Sequence, residues 1–217
     1  MLLTLSLLSF TFGLVRALAS EIPSLDPASH RSDVNTVVYA SNGKVLAVLR
    51  GDENRVLVES EEIAPIMKQA IVSVEDQRFF EHDGIDLRGV ARALWADIRS
   101  QAIVEGGSTI TQQFVKNAYI RNEQTLARKV REAALAWQLE QRWPKDRILT
   151  AYLNTIYFGN GAYGVQQAAL VYFGTSAKYL TLPEAALLAG LPADPSRYNP
   201  VTSPRRAKER RRHVLSL

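Results

Sequence analysis

From about Ser60 to the end of the chain, apolar residues recur three and four positions apart, the spacing of one helix face. Ile63 to Val74 is the first such run. Asp86 stands where it caps a second, with Leu87, Val90, Ala91, Leu94 and Ile98 on one side. Thr109 to Ala118 starts a third, and Leu126, Val130, Ala133 and Trp137 form the stripe of a fourth. Pro144, tolerated in a first turn, precedes a fifth carrying Ile148, Leu149, Tyr152, Leu153 and Ile156, with Gly159 as its stop. Gly164 to Phe173 is a sixth, closed by Gly174. Thr181 and Glu184 have capping-box spacing for a seventh, and Ser203-Pro204 opens a last, basic helix. Upstream the period changes. Thr36 to Arg50 places two apolar runs around Asn42-Gly43, a strong hairpin signal. Glu21 to Asn35 is polar and aperiodic, as in a linker. The pattern predicts a mainly α domain over residues 60–217, a linker and β-hairpin over 21–59, and a distinct segment over 1–20.

That first segment is apolar and uncharged from Leu2 to Val15, 14 residues. A spanning helix needs roughly 20. Ala17-Leu18-Ala19 has the form of a signal-cleavage site, yet no Lys or Arg precedes the apolar run. A cleaved signal and an anchor whose beginning lies outside the sequence both remain open, and both imply export.

Composition narrows the chemistry. With 217 residues, 47% of them apolar and 22% charged, the chain suits one ordinary globular domain plus a short extra segment. It has no cysteine, which excludes disulfides, thiolate nucleophiles and thiolate metal sites. His30, His82 and His213 lack ligand spacing, so no zinc site is expected. The net charge of +4 is concentrated in Arg205 to Arg212, RRAKERRR. Such a stripe attracts phosphates or is simply a solvated helix face.

Five stretches carry candidate chemistry. In EDQRFFEHDG, Glu75 to Gly84, a carboxylate stands beside aromatic residues, a setting for proton transfer near neutral pH. The plainer alternative is a charged helix end before a turn. In GGSTITQQ, Gly106 to Gln113, glycines and hydroxyls lead into a helix start, where free N–H groups favour anions; Lys116 lies one turn beyond Gln112. It is no Walker loop. In RKVRE, Arg128 and Lys129 share a helix face with Glu132, either as a surface ion-pair cluster or as cations set against a phosphate. KDRILTAYLN, Lys145 to Asn154, is mostly core, with Asn154 and Tyr157 able to orient polar groups. RRRHVL, Arg210 to Leu215, closes the series.

In this order the five stretches resemble the signature of the family 51 glycosyltransferases, the transglycosylase domains of class A penicillin-binding proteins and the monofunctional transglycosylases. The resemblance spans nearly all of Ile71 to Leu215. It implies a lysozyme-like, mainly α fold with a small membrane-associated lobe. It implies lipid II and a growing lipid-linked glycan as substrates, with inversion at the anomeric carbon and release of undecaprenyl pyrophosphate. Glu75 is then the general base on the acceptor hydroxyl, and Glu132 the second family carboxylate, orienting cations or assisting the leaving group. Lys116, Arg128 and Lys129, with Ser108, Thr109 and Thr111, stabilise the pyrophosphate. Gln112, Gln113, Asn154 and Tyr157 position sugar or phosphate; Phe79 and His82 shape the pocket; Arg211 is the tail residue assigned to the motif. No cofactor is required, although a divalent cation at the pyrophosphate is compatible. The implied setting is the outer, periplasmic or extracellular face of the cell membrane, with other cell-wall synthesis proteins as partners and no nucleic acid.

One departure stands out. Many members carry a basic residue shortly before the double glycine, whereas Gln101 to Glu105 has none. Two rivals remain: a lysozyme-like glycan-cleaving enzyme using both glutamates, and a catalytically silent module that binds lipid II. The hairpin-like prelude and the uncharged N-terminus fit a piece of a longer protein better than a monofunctional enzyme.

Overall fold

The structure is a computed structural model that describes residues 36–49, 54–100, 107–119 and 126–217. The expected signal or anchor and the linker Glu21 to Asn35 lie outside the described residues. Among the described residues eight α-helices dominate: α1 Pro65–Glu75, α2 Leu87–Ser100, α3 Ile110–Tyr119, α4 Leu126–Glu140, α5 Lys145–Thr155, α6 Val165–Phe173, α7 Leu182–Gly190 and α8 Pro204–Leu215. Strands β1 Thr36–Tyr39 and β2 Val45–Leu49 pair antiparallel around the Asn42-Gly43 turn, where Asn42 Oδ1 accepts from Lys44 N–H at 3.0 Å. The short strands β3 Asn54–Arg55 and β4 Ala162–Tyr163 pair in parallel. Among the described residues, no helix is long and apolar enough to cross a membrane.

The local signals act where they stand in the sequence. Asp86 Oδ1 accepts from Gly89 N–H at 2.8 Å and caps α2. Thr181 and Glu184 close a capping box on α7. Gly174, at φ +66°, ends α6 in the left-handed conformation that costs glycine little.

Three boundaries shift. The first helix begins at Pro65 rather than Ile63. A residue before proline is pushed out of the α region, and Ala64 lies at ψ 130°. The same helix runs one residue past Val74, so Glu75 is its last member. The fifth helix ends at Thr155, short of the expected stop at Gly159. Ile156 is extended at ψ 150°, and the chain then turns through Gly159, Asn160 and Gly161, all at positive φ. That turn sets Tyr157 opposite Tyr163.

The core lies where α1 packs on α7, α7 on α8, and α3 on both α4 and α5. Met67 and Ile71 of α1, Ile110 of α3, Leu149 and Leu153 of α5 and Leu188 of α7 are all buried in it. Each such side chain contributes about 1.5–3 kcal/mol by leaving water, so the ends of these helices are fixed in space.

The loop between α1 and α2 lies flat on α4 at Gly84. This residue has φ +81°, and a Cβ there would stand 2.7 Å from the Ala136 carbonyl and the Trp137 nitrogen. Its own carbonyl accepts from Thr109 Oγ1 at 2.7 Å, which ties the loop to the start of α3. Gly84→Ala is therefore expected to destabilise the chain by about 2–3 kcal/mol through backbone strain and overpacking. A urea titration checks this; an unchanged midpoint contradicts it.

Candidate active site

Glu75 comes to the site as the C-terminal residue of α1, where the helix gives way to the loop pinned by Gly84. It borders a cleft of ≈ 1250 Å³. Gln113, on α3, donates from Nε2 to Glu75 Oε2 at 2.8 Å. Ser108, Thr109, Gln112, Lys116, Lys129 and Tyr157 line the same cleft, so seven residues singled out from the sequence for contact with substrate share it with Glu75 once Gln113 is counted.

The start of α3 departs from expectation. The sequence offers its first N–H groups to an anion, and at Ile110 the fold itself supplies a carboxylate. Asp76 Oδ2 accepts from Ile110 N–H at 3.1 Å, and both Asp76 oxygens lie within 3.1 Å of His82 Nε2. Thr109 and Gln112 cap the helix reciprocally: Gln112 N–H donates to Thr109 Oγ1 at 3.1 Å, and Thr109 N–H to Gln112 Oε1 at 3.0 Å. A carboxylate on a helix N-terminus satisfies the exposed donors and the dipole together. Side chains add positive charge to the cleft. Lys116 projects from α3, and Lys129 reaches over from α4 to donate to Ser108 Oγ at 3.1 Å.

Glu132 lies beneath that charge. It is 1% exposed, with one oxygen 2.8 Å from Lys129 Nζ and the other 3.4 Å from Arg128 Nε. It does not line the cleft. Its geometry is that of a carboxylate holding two cations in place, not of one facing a reactant.

Other residues singled out from the sequence are turned away from the cleft. Asn154 was expected on sugar or phosphate. Its amide instead clamps the backbone of Val58, accepting from Val58 N–H at 3.1 Å and donating to Val58 C=O at 2.8 Å. Both halves of the group are thereby satisfied in a buried place. The Thr111 hydroxyl donates to Glu140. Glu140 pairs with Lys145, which donates to the His82 carbonyl and lies over the Phe79 ring at 4.5 Å. Phe79 and His82 thus support the loop behind Asp76. Arg128 meets Glu132 rather than the cleft.

Arg211 was the expected tail residue, yet Arg210 is the one that lines the cleft. Its Nε donates to the Gly190 carbonyl at 3.3 Å, and its guanidinium stands 5.5 Å from the Tyr198 ring centre. Ala207 and Val214 mark the buried face of α8. Helical phase alone admits both arginines to that face, so only the packing against α7 and Tyr198 separates them. Arg92 and Tyr198 also line the cleft and had no local signal. Among the described residues no group of three His, Cys, Asp or Glu side chains is arranged to hold a metal ion.

A helical domain whose cleft is lined by the carboxylates of Glu75, Asp76 and Asp86 and by the lysines Lys116 and Lys129 is the class of protein that the fold and site define. The family model described as Transglycosylase matches residues 42–217, and the chain belongs to that family. It is similar to penicillin-binding protein 1A of Neisseria lactamica, 41% identical over 219 residues, covering 99% of this chain and 27% of that protein. It is also similar to penicillin-binding protein 1A/1B of Bacillus subtilis (strain 168), 44% identical over 218 residues, covering 97% of this chain and 24% of that one. A solved structure of penicillin-binding protein 1A from Haemophilus influenzae is similar at 25% identity and a TM-score of 0.44, over 85% of this chain and 18% of the other. The chain spans about a quarter of the length of the curated relatives it matches.

Proposed function

We propose that this chain is a peptidoglycan glycosyltransferase that polymerises lipid II into glycan, with residues 60–217 as its catalytic unit. One observation carries the reading: the Glu75 carboxylate, held by Gln113, shares a cleft with Lys116 and Lys129. A glycosyl transfer from a lipid pyrophosphate needs both parts. Glu75 takes the proton from the acceptor hydroxyl as its oxygen attacks the donor's anomeric carbon and inverts it. The departing pyrophosphate gains charge, which Lys116 and Lys129 stabilise from fixed positions. Glu132 keeps Arg128 and Lys129 in place. No cofactor is needed for these steps, and a divalent ion would act only as added charge at the pyrophosphate.

The substrate's lipid calls for a membrane surface. Leu87 and Trp95 on α2 and Phe80 just before it are exposed, the composition of a lobe that dips into lipid. Arg205, Arg206, Lys208 and Arg212 on α8 are exposed cations suited to anionic headgroups rather than nucleic acid. Export places the unit on the outer face of the membrane, where other cell-wall synthesis proteins are its natural partners.

The test is incubation of the purified chain with lipid II in detergent, followed by gel separation. Long glycan products are expected. Cleavage of preformed glycan without polymer would instead favour the hydrolase, and retention of lipid II without either product would favour a silent binding module.

A further inference from the structure

Behind Glu75 lies a residue that does not line the cleft. Tyr152 on α5 is fully buried, and its hydroxyl donates to Gln113 Oε1 at 2.9 Å. Gln113 Nε2 in turn donates to Glu75 Oε2 at 2.8 Å. Three side chains from α5, α3 and α1 form one directed chain of hydrogen bonds. An ionised carboxylate only accepts, so it requires the nitrogen of the Gln113 amide. That orientation turns the amide oxygen back toward Tyr152, where a donor is needed. Tyr152 stays a donor because burial, and then the charges of Glu75 and Asp76, hold its phenol well above the ordinary tyrosine range.

We infer that Tyr152 is a positioning residue for the proposed base Glu75, acting through the amide of Gln113. This rests on the glycosyl-transfer reading of Glu75 given above. Without the hydroxyl, the part-buried Gln113 oxygen has lost its donor and the amide is free to turn. Its nitrogen then no longer holds the carboxylate. A carboxylate that loses a donor binds its proton more tightly.

The test reads Glu75 directly, on the full chain without substrate. The ¹³C carboxyl resonance of Glu75, assigned by its disappearance in Glu75→Gln, is followed through a pH titration. Tyr152→Phe is expected to move the midpoint to higher pH, as is Gln113→Leu. The double variant is expected to match Gln113→Leu alone, because both act through one amide. An unmoved midpoint in Tyr152→Phe, or two shifts that simply add, would overturn the inference, since a tyrosine that only fills space predicts one or the other. If Tyr152→Phe fails to fold, 3-fluorotyrosine installed at position 152 keeps the ring and donates more strongly. It should move the midpoint to lower pH, and no such movement also overturns the inference. The titration separates the two readings: a wild type that makes no glycan removes the proposed function, whereas an unmoved midpoint removes only the role of Tyr152.

Discussion

Glu75→Gln is expected to reduce glycan synthesis by about 10²–10⁴-fold, the range that a positioned general base contributes. Its thermal midpoint is expected to stay within about 2 °C of the wild type. The two expectations follow from one geometry. Glutamine has the size of glutamate, and its side-chain oxygen can still accept from Gln113 Nε2, which now donates at 2.8 Å to Glu75 Oε2. The contact that orients the side chain therefore survives. The negative charge and the basic oxygen are lost, and these are what proton abstraction requires. Parallel gels of lipid II products and circular-dichroism melts check the pair. Full activity would remove Glu75 from the chemistry, and a collapsed melt would show that the carboxylate is part of the scaffold. Binding of lipid II should change little, because the lysines are untouched.

Most of the fold was legible because its signals are local. Asp86, the Thr181–Glu184 box, Pro144 and Gly174 each sit at or next to a helix boundary that the backbone uses. Boundaries were missed where a backbone constraint outweighed the apolar pattern: proline at the start of α1, and three consecutive positive-φ residues after α5. The site was legible as a set of motifs but not as a set of directions. What turns Asn154 from substrate to scaffold is Val58, 96 residues away in sequence. What fills the anion-attracting start of α3 is Asp76, 34 residues before Ile110. A residue's type and spacing announce that a polar group needs a partner, while the partner is chosen by tertiary packing.

Removing the carboxylate at Glu132 separates the two roles its motif allows. Glu132→Ala removes from a buried place the carboxylate that Arg128 and Lys129 both meet. Stranding a fully buried pair costs about 3–5 kcal/mol. Lys129 is half exposed, with 52% of its side chain open to water, so the expected loss is on the order of 2–3 kcal/mol. Glycan synthesis should fall with it, since Lys129 also donates to Ser108 at the lip of the cleft and loses the anchor that holds it there. Glu132→Gln is the sharper variant. It keeps an acceptor for Lys129 and removes only the charge, which lowers the strength of the contact without abolishing it. If Glu132 orients cations, the activity of Glu132→Gln should fall by about tenfold, equivalent to about 1.4 kcal/mol of transition-state stabilisation. The drop should persist as the lipid II concentration is raised, because the cations act on charge that develops in the transition state. If Glu132 instead gives a proton to the leaving group, glutamine should be as inactive as it is at position 75, at any substrate concentration. The burial of Glu132 away from the cleft favours the first outcome. Rates measured at several lipid II concentrations, with urea melts of both variants, decide between them.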